Sequence, residues 1–226
     1  MATTALPAIP SADVGHGYTT TGLPHRKIAI WAFIGSECML FASLISTYLI
    51  YKGRSVKGPF PHEPWTDPST GHVYKAILNI PVTSCSTFVL LMSSLAMVLA
   101  LAAVENRDKP KVTLGDKILG SSRLWLFMTA VLGTTFLGFQ AFEFTSFVHE
   151  GLSIRTNLFG SSFFTLTGFH GAHVTAGVIW LLTMLAIDFK RGLGPKDALN
   201  VDIMALYWHF VDVVWIAIFT LVYLIK

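Results

Sequence analysis

One acidic residue lies deep within the first apolar stretch of this sequence. Glu37 follows Ile28, where the stretch begins, by nine residues, so helical rise places it about 14 Å along a helix and near the centre of a bilayer. An ionised carboxylate at that depth is energetically costly. We therefore expect Glu37 to be protonated or to pair with a donor. Two interpretations remain open: a proton-linked or regulatory carboxyl, and a neutral side chain that hydrogen-bonds between helices.

A second group of polar residues lies in the last two apolar stretches. His170 and His173 are three residues apart and share one face of a helix, and His209 and Asp212 repeat that spacing. With Glu143 on a neighbouring helix, these side chains have the types that suit a metal in a helix bundle. We favour the alternative, in which they are structural contacts between helices. The predicted interhelical polar contacts are Gln140, Glu143, His170, His173, His209 and Asp212.

Small residues recur beside these histidines. Gly168, Ala172 and Ala176 are spaced by four, and such a stripe is typical of helices whose backbones approach closely. We expect the histidines to form hydrogen bonds across that contact.

Composition identifies the setting of these residues. Of the 226 residues, 53% are hydrophobic and only 13% are charged, about half the charged fraction of a soluble domain. An integral membrane protein is therefore expected, and soluble enzymes, coiled coils and disordered scaffolds are excluded. The net charge of +3, with no basic stripe, excludes a nucleic-acid partner. Cys38 and Cys85 lie in apolar runs and indicate no disulfide.

Five apolar runs predict an all-α fold, a polytopic bundle of five transmembrane helices. Runs of this length without period-2 alternation form helices in lipid. We expect a polar N-terminal segment at 1–27 and a transmembrane domain at 28–226. The predicted spans are 28–51, 77–104, 124–148, 158–187 and 203–225. Irregular loops are expected at 52–76 and 105–123, and the short 149–157 connection predicts adjacent, antiparallel third and fourth helices.

The basic residues predict an orientation. Ten Lys and Arg residues fall on the side of the N-terminus and six on the other, so the N-terminus is expected in the cytoplasm and the C-terminus outside. Neither a signal peptide nor a transit peptide is recognisable, which favours a bacterial plasma membrane. Lys190 and Arg191 follow the fourth helix on the inner side and are candidates for binding a lipid head group.

The sequence offers no assembly of residues typical of a redox centre. It lacks a haem-attachment motif, a cysteine cluster and a glycine-rich phosphate loop. We therefore expect the chain to support a catalytic partner.

Four segments together resemble a known family. They are Ile34–Phe41 (IGSECMLF), Phe136–Phe144 (FLGFQAFEF), Phe164–Val174 (FTLTGFHGAHV) and Tyr207–Trp215 (YWHFVDVVW). In this order they resemble subunit III of the haem–copper oxidases, the cytochrome c oxidases and their quinol-oxidising relatives. The longest family members have seven helices. This chain resembles the short bacterial form, which lacks the first two.

The resemblance implies a core subunit without haem or copper of its own. Such a subunit packs on subunit I, which carries two haems and a copper, with subunit II and a small subunit IV as further partners. It supports proton uptake and protects the enzyme during turnover. Glu37 matches the family's membrane carboxyl, which reacts with hydrophobic carbodiimides. Bound phospholipid is also implied, although the lipid cleft of the long form would here be open or completed by another chain.

Alternative functions remain at this point. Within related complexes, the chain is also compatible with subunit III of a quinol oxidase or an accessory subunit of a nitric oxide reductase. From other classes, a proton-linked transporter would use Glu37, Glu143 and the histidines, and a membrane metalloenzyme would use the histidines with Asp212. Paired repeats, which transporters often show, are not recognisable in the sequence.

Overall fold

The computed structural model describes residues 22–55, 57–68, 71, 73–74, 76–108 and 114–225. In chain order its elements are helix α1 (His25–Tyr51), strands β1 (Trp65–Thr66) and β2 (Val73–Tyr74), and helices α2 (Ile80–Glu105), α3 (Leu114–Leu119), α4 (Ser122–His149), α5 (Leu158–Arg191) and α6 (Ala198–Phe219). A 3-10 turn, Pro195–Asp197, precedes α6, and a π-helical turn, Thr220–Leu224, continues it. Within these described residues, five helices are long and apolar enough to cross a membrane, which confirms the predicted fold class.

Several helix boundaries differ from those predicted, and local chemistry explains the differences. Helix α1 begins at His25, after Pro24, so the predicted polar segment 1–27 ends sooner; residues 1–21 of it lie outside the described part of the chain. Helix α2 begins at Ile80, where the Asn79 side chain accepts a hydrogen bond from the Val82 amide. Asparagine at this position satisfies one of the free amides of a first helical turn.

The observed bounds of the fourth and fifth spans also differ from the predicted bounds, at the connection between these two spans. Helix α5 continues to Arg191, beyond the predicted end at 187, and stops at Gly192, whose φ of 73° is a conformation that glycine adopts without strain. Helix α6 begins at Ala198, five residues before the predicted start at 203, directly after the turn that contains Pro195.

Two connections predicted as irregular contain regular structure. In the 52–76 connection, β1 and β2 pair antiparallel, with Trp65 opposite Tyr74 and the two rings stacked at 5.6 Å. In the 105–123 connection, α3 forms a short helix. The short 149–157 connection joins α4 to α5, which pack against each other as expected.

Helices α2, α4, α5 and α6 form the packed part of the bundle, and α1 lies at its edge. Helix α2 packs against α4 and α6, and α5 packs against α4 and α6, whereas α1 packs mainly against α5 and α6. Only Ile30, Phe41 and Tyr48 are buried on α1, while apolar side chains such as Trp31 and Met39 are exposed. Such a surface requires lipid or another apolar partner.

The close contacts between helices do not follow the predicted stripe of small residues. Ala172 and Ala176 are exposed, and a Cβ on Gly168 would meet nothing within 4 Å. The tight positions are instead Gly133 on α4 and Gly177 on α5, where an added Cβ would lie 2.6 and 2.8 Å from the ring of Trp208. Both faces of these helices are apolar, so spacing alone did not indicate which face was buried.

Candidate functional site

Glu37 and His173 form a contact between α1 and α5 about halfway along both helices. Glu37 is the thirteenth of the 27 residues of α1, and its Oε2 atom lies 3.1 Å from Nε2 of His173. The two side chains are 17% and 16% exposed. The ring of Phe41, one turn along α1, meets the imidazole edge-on at 5.0 Å between centroids. The pair is therefore shielded by protein without being sealed from the α1 surface.

The hydrogen bonds of His173 define how many protons the pair holds. Its Nδ1 atom lies 2.8 Å from the carbonyl oxygen of Phe169, which can only accept, so Nδ1 carries a hydrogen and donates it. The contact between Nε2 and Glu37 then needs one more proton, placed either on the carboxyl or on the imidazole. In both cases the pair is neutral overall.

Tyr207 fixes α6 to the same region of α5. Its hydroxyl donates to the main-chain carbonyl of His173 at 2.9 Å, and its ring lies 6.3 Å from that of Phe33 on α1. The Glu37–His173 pair thus lies where α1, α5 and α6 meet.

Glu143 occupies a separate buried position, in the last two turns of α4. Its Oε1 atom lies 2.5 Å from the Thr83 hydroxyl on α2, and Tyr223 of the π-helical turn donates to its Oε2 at 3.2 Å. Both carboxylate oxygens therefore bind hydroxyls, and the side chain joins three elements.

Gln140 and His170 lie between α4, α5 and α6. The Gln140 amide donates to the carbonyl of Thr167 on α5 at 2.7 Å. His170 is fully buried, stacks on Trp215 at 4.9 Å and meets the edge of Phe136 at 5.8 Å. Neither nitrogen of this imidazole has a hydrogen-bond partner among the described residues, so its contacts are aromatic rather than polar.

His209 and Asp212 both face Ser94 on α2. Nδ1 of His209 lies 2.5 Å from the Ser94 hydroxyl. Ser94 is also the polar neighbour of the buried Asp212 carboxyl, although neither Asp212 oxygen has a well-formed hydrogen bond within the described chain. These two residues thus connect α6 to α2.

These polar side chains are distributed over several contacts and do not form one cluster. His173 contacts α1, His209 contacts α2, and Glu143 lies near the end of the bundle. Across the described residues, no three His, Cys, Asp or Glu side chains are grouped so that they could bind a metal ion. The arrangement therefore gives no support to the metalloenzyme alternative.

The residues proposed for lipid binding differ in their surroundings. Lys190 is exposed, whereas Arg191 forms two hydrogen bonds to the Asp197 carboxylate, at 2.7 and 3.2 Å. Arg191 also lines, with Arg26, a largely apolar cavity of about 610 Å³ between α1, α5 and α6. A cationic group at the mouth of an apolar cavity has the polarity of a phospholipid site.

One buried carboxylate with several partners, Asp188, was not predicted from the sequence. Asp188, in the last turn of α5, is 1% exposed and accepts from the Ser122 hydroxyl at 2.6 Å and from the Leu193 amide at 2.8 Å. Arg107 and Arg123 approach its Oδ1 to 3.8 Å. In the sequence it resembles an ordinary charge at the end of a span, so only its position beside Lys190 and Arg191 could have drawn attention.

Comparison with known proteins identifies the family. The family described as cytochrome c oxidase subunit III matches residues 14–226. Cytochrome c oxidase subunit 3 of Bacillus sp. (strain PS3) is 39% identical over 88% of this chain and 86% of its own length. Quinol oxidase subunit 3 of Bacillus subtilis (strain 168) is 36% identical over 87% and 85%.

A more distant relative extends the comparison. The cytochrome bo(3) ubiquinol oxidase subunit 3 of Pseudomonas aeruginosa is 33% identical over 94% of this chain and 90% of its own length. Together with five apolar helices, these matches identify a multi-pass membrane protein that is a subunit of a respiratory oxidase. The chain belongs to the cytochrome c oxidase subunit III family, the third subunit of the haem–copper oxidases.

Proposed function

We propose that this chain is the non-catalytic third subunit of an aerobic terminal oxidase. It contributes no redox centre, and the haem and copper are carried by partner subunits. Subunit I is its main contact, with subunit II and a small subunit IV as further partners. The relatives include cytochrome c oxidases and quinol oxidases, so the proposal concerns the terminal-oxidase class. The basic residues favour a cytoplasmic N-terminus and an outer C-terminus in a bacterial plasma membrane.

The observation that carries a functional role is the Glu37–His173 contact. It joins two titratable side chains about halfway along α1 and α5, with Oε2 of Glu37 3.1 Å from Nε2 of His173. It also lies on α1, the helix with the least buried surface and the most apolar side chains left for a partner. We assign Glu37 a regulatory, proton-linked role that supports proton uptake and stability during turnover.

The other predicted polar residues have a structural role in this proposal. Glu143, Gln140 and His209 each bond to a different helix, and His170 packs between aromatic rings. Asp212 shares the Ser94 region with His209.

Phospholipid is the second component of the proposal. The cavity between α1, α5 and α6 is lined by Arg26 and Arg191 at one end and by apolar side chains such as Phe33 and Trp180 along its length. This polarity matches a head group and an acyl chain. Lys190, exposed beside it, adds positive charge at the surface.

The test is the Glu37→Gln substitution in the intact oxidase complex. The new amide can donate to Nε2 of His173, so the contact between α1 and α5 is retained while the titratable proton is removed. We expect normal co-purification with haem A or haem O, continued oxygen reduction, and a lower proton-to-electron ratio or a shorter active lifetime in vesicles. Glu150→Gln, an exposed carboxyl at the end of α4, is the matched control.

Three outcomes would contradict parts of this proposal. Complete loss of oxygen reduction in a correctly assembled Glu37→Gln complex would make the carboxyl part of the essential chemistry. Unchanged proton transfer and lifetime would reduce Glu37 to a structural contact. Isolation of a functional, haem-free chain from native membranes would contradict the assignment to an oxidase.

A further inference from the structure

A cationic cavity lies at the end of the bundle where α2 ends and α4 begins. Its volume is about 350 Å³, and its lining includes Arg107, Lys117 and Arg123. Two serines and Asp188 complete the polar part of the lining. Among the described residues that line the cavity, three are cationic and one is a carboxylate, so their summed charge is positive. Its volume is within the range of roughly 300–1,000 Å³ that is usual for small-ligand sites.

The one carboxylate of the cavity is directed into the protein. Asp188 is 1% exposed, and its two oxygens accept from the Ser122 hydroxyl at 2.6 Å and the Leu193 amide at 2.8 Å. The side chains of Arg107 and Arg123, each 3.8 Å from this carboxylate, are 41% and 48% exposed. The buried carboxylate therefore holds the two arginines in place while their outer surfaces remain open.

Arg107 and Arg123 have further N–H donors with which they could bind a ligand. Arg123 donates to the carbonyl of Asp188 at 3.0 Å, and Arg107 donates to the carbonyl of Leu193. A guanidinium has five N–H donors in a fixed planar arrangement, so these contacts leave several for another acceptor. Arginines anchored in this way are suited to bind phosphate oxygens in pairs.

Apolar side chains at the rim indicate where the ligand comes from. Ile118 and Leu119 of α3 are about half exposed, and Phe189 of α5 is 63% exposed under the guanidinium of Arg123, at 5.4 Å. Phe189 lies in the last turn of α5, and Ile118 and Leu119 lie in the short helix before α4, so all three could contact acyl chains at the membrane surface. A phosphate that carries acyl chains would contact both the cations and this rim, whereas free phosphate would contact the cations alone.

We propose that the cavity formed by Arg107, Lys117 and Arg123 binds the phosphate of an anionic phospholipid, such as phosphatidylglycerol. The site is separate from the Lys190–Arg191 surface, since neither of those residues lines it. A lipid bound here would connect α2, α3, α4 and the end of α5. This lipid-binding proposal goes beyond the role proposed for Glu37 and does not depend on that role.

The experiment counts lipids that remain bound to the intact oxidase complex. Complex exchanged into phosphatidylcholine is titrated with phosphatidylglycerol and followed by native mass spectrometry. Lys117→Gln is the main variant, because Lys117 makes no hydrogen bond or ion pair with another described residue and its removal spares the fold. Lys196→Gln, an exposed lysine at the same end of the bundle, is the matched control.

We expect the wild type and Lys196→Gln to retain one more phosphatidylglycerol than Lys117→Gln at equal lipid concentration. Loss of one positive charge near a head group should weaken that binding roughly fivefold. Arg123→Gln should weaken it as well, and circular dichroism would check that this variant still folds. Equal lipid binding by the wild type, Lys117→Gln and Arg123→Gln would overturn the proposal.

A second arm distinguishes lipid from free phosphate. Radiolabelled inorganic phosphate is added to the same complex in phosphatidylcholine, with and without phosphatidylglycerol. Weak phosphate binding that phosphatidylglycerol displaces supports the lipid. Tight phosphate binding that Lys117→Gln weakens, with no retained phosphatidylglycerol, would overturn the lipid assignment and identify a phosphate site.

Discussion

Substitution of Gly177 by alanine tests how tightly α4, α5 and α6 are packed. Trp208 of α6 is fully buried, and its indole nitrogen donates to the Ser93 hydroxyl at 2.9 Å, so the ring is held from α2. A Cβ on Gly177 would lie 2.8 Å from this ring, and one on Gly133 would lie 2.6 Å from its far edge. Movement of the ring is therefore opposed from both α4 and α5.

The size of the effect follows from these distances. Carbon atoms in good contact are about 3.5 Å apart or more, so the ring and α5 would have to separate by about 0.7 Å. Overpacking of this kind costs about 1–3 kcal/mol, and the better helix propensity of alanine offsets up to about 1 kcal/mol of it. We expect Gly177→Ala to lose about 1–2 kcal/mol of stability.

Gly168→Ala is the control, because it is the same substitution on the same helix with nothing within 4 Å. It should keep or slightly raise the stability. The stability of both variants is measured as loss of the subunit from the purified complex on heating or in graded SDS. Gel electrophoresis and mass spectrometry follow that loss. Trp208→Phe combined with Gly177→Ala should cost less than the sum of the two single changes, since a smaller ring makes room. Equal behaviour of Gly177→Ala and Gly168→Ala would refute the argument.

Two further predictions concern polar contacts between helices. Asp188→Asn removes the charge that faces two arginines, so it should weaken retention of the subunit by about 1–2 kcal/mol. Detergent washing of the complex measures this retention, and unchanged retention would show that the charge is dispensable. His209→Leu and Ser94→Ala should each weaken retention of the subunit by about 1 kcal/mol, and the double variant should weaken it no more than either single change. The haem spectra should be unchanged. Fully additive losses of retention, or loss of a stoichiometric metal with His209, would contradict a simple hydrogen bond.

The spans were predictable because their signal is local. Twenty or more consecutive apolar residues define a helix in lipid whatever surrounds it, so each long helix begins and ends within a few residues of its expected bounds. The exceptions have local causes as well: Pro24 and Gly192 allow helices to begin or end where hydropathy alone gives no boundary.

The packing was not predictable in the same way, because lipid-facing and buried faces are both apolar. The periodicity that identifies the buried side of a helix in water therefore carries little information here. The stripe at Gly168 and Ala172 illustrates this, since its spacing suits a close contact but its position is outside the packed face. Asp188 illustrates the complementary difficulty, since its partners are distant in the sequence: Arg107 lies in the turn after α2, and Arg123 lies in the first turn of α4.

The attachment of α1 to the bundle depends on a few polar contacts, and one of them is made by Glu37. Helix α1 buries little surface, and polar contacts hold it at both ends: Lys27 pairs with Asp202 at 2.7 Å, and Lys52 donates to the carbonyl of Ile225 at 2.6 Å. Between these ends, the Glu37–His173 contact joins α1 to α5. Loss of this contact would leave two largely buried polar groups without each other and favour separation of the helices or entry of water. In the role proposed for Glu37, a change at this carboxyl would therefore affect proton uptake and the lifetime of the complex through the attachment of α1 to α5.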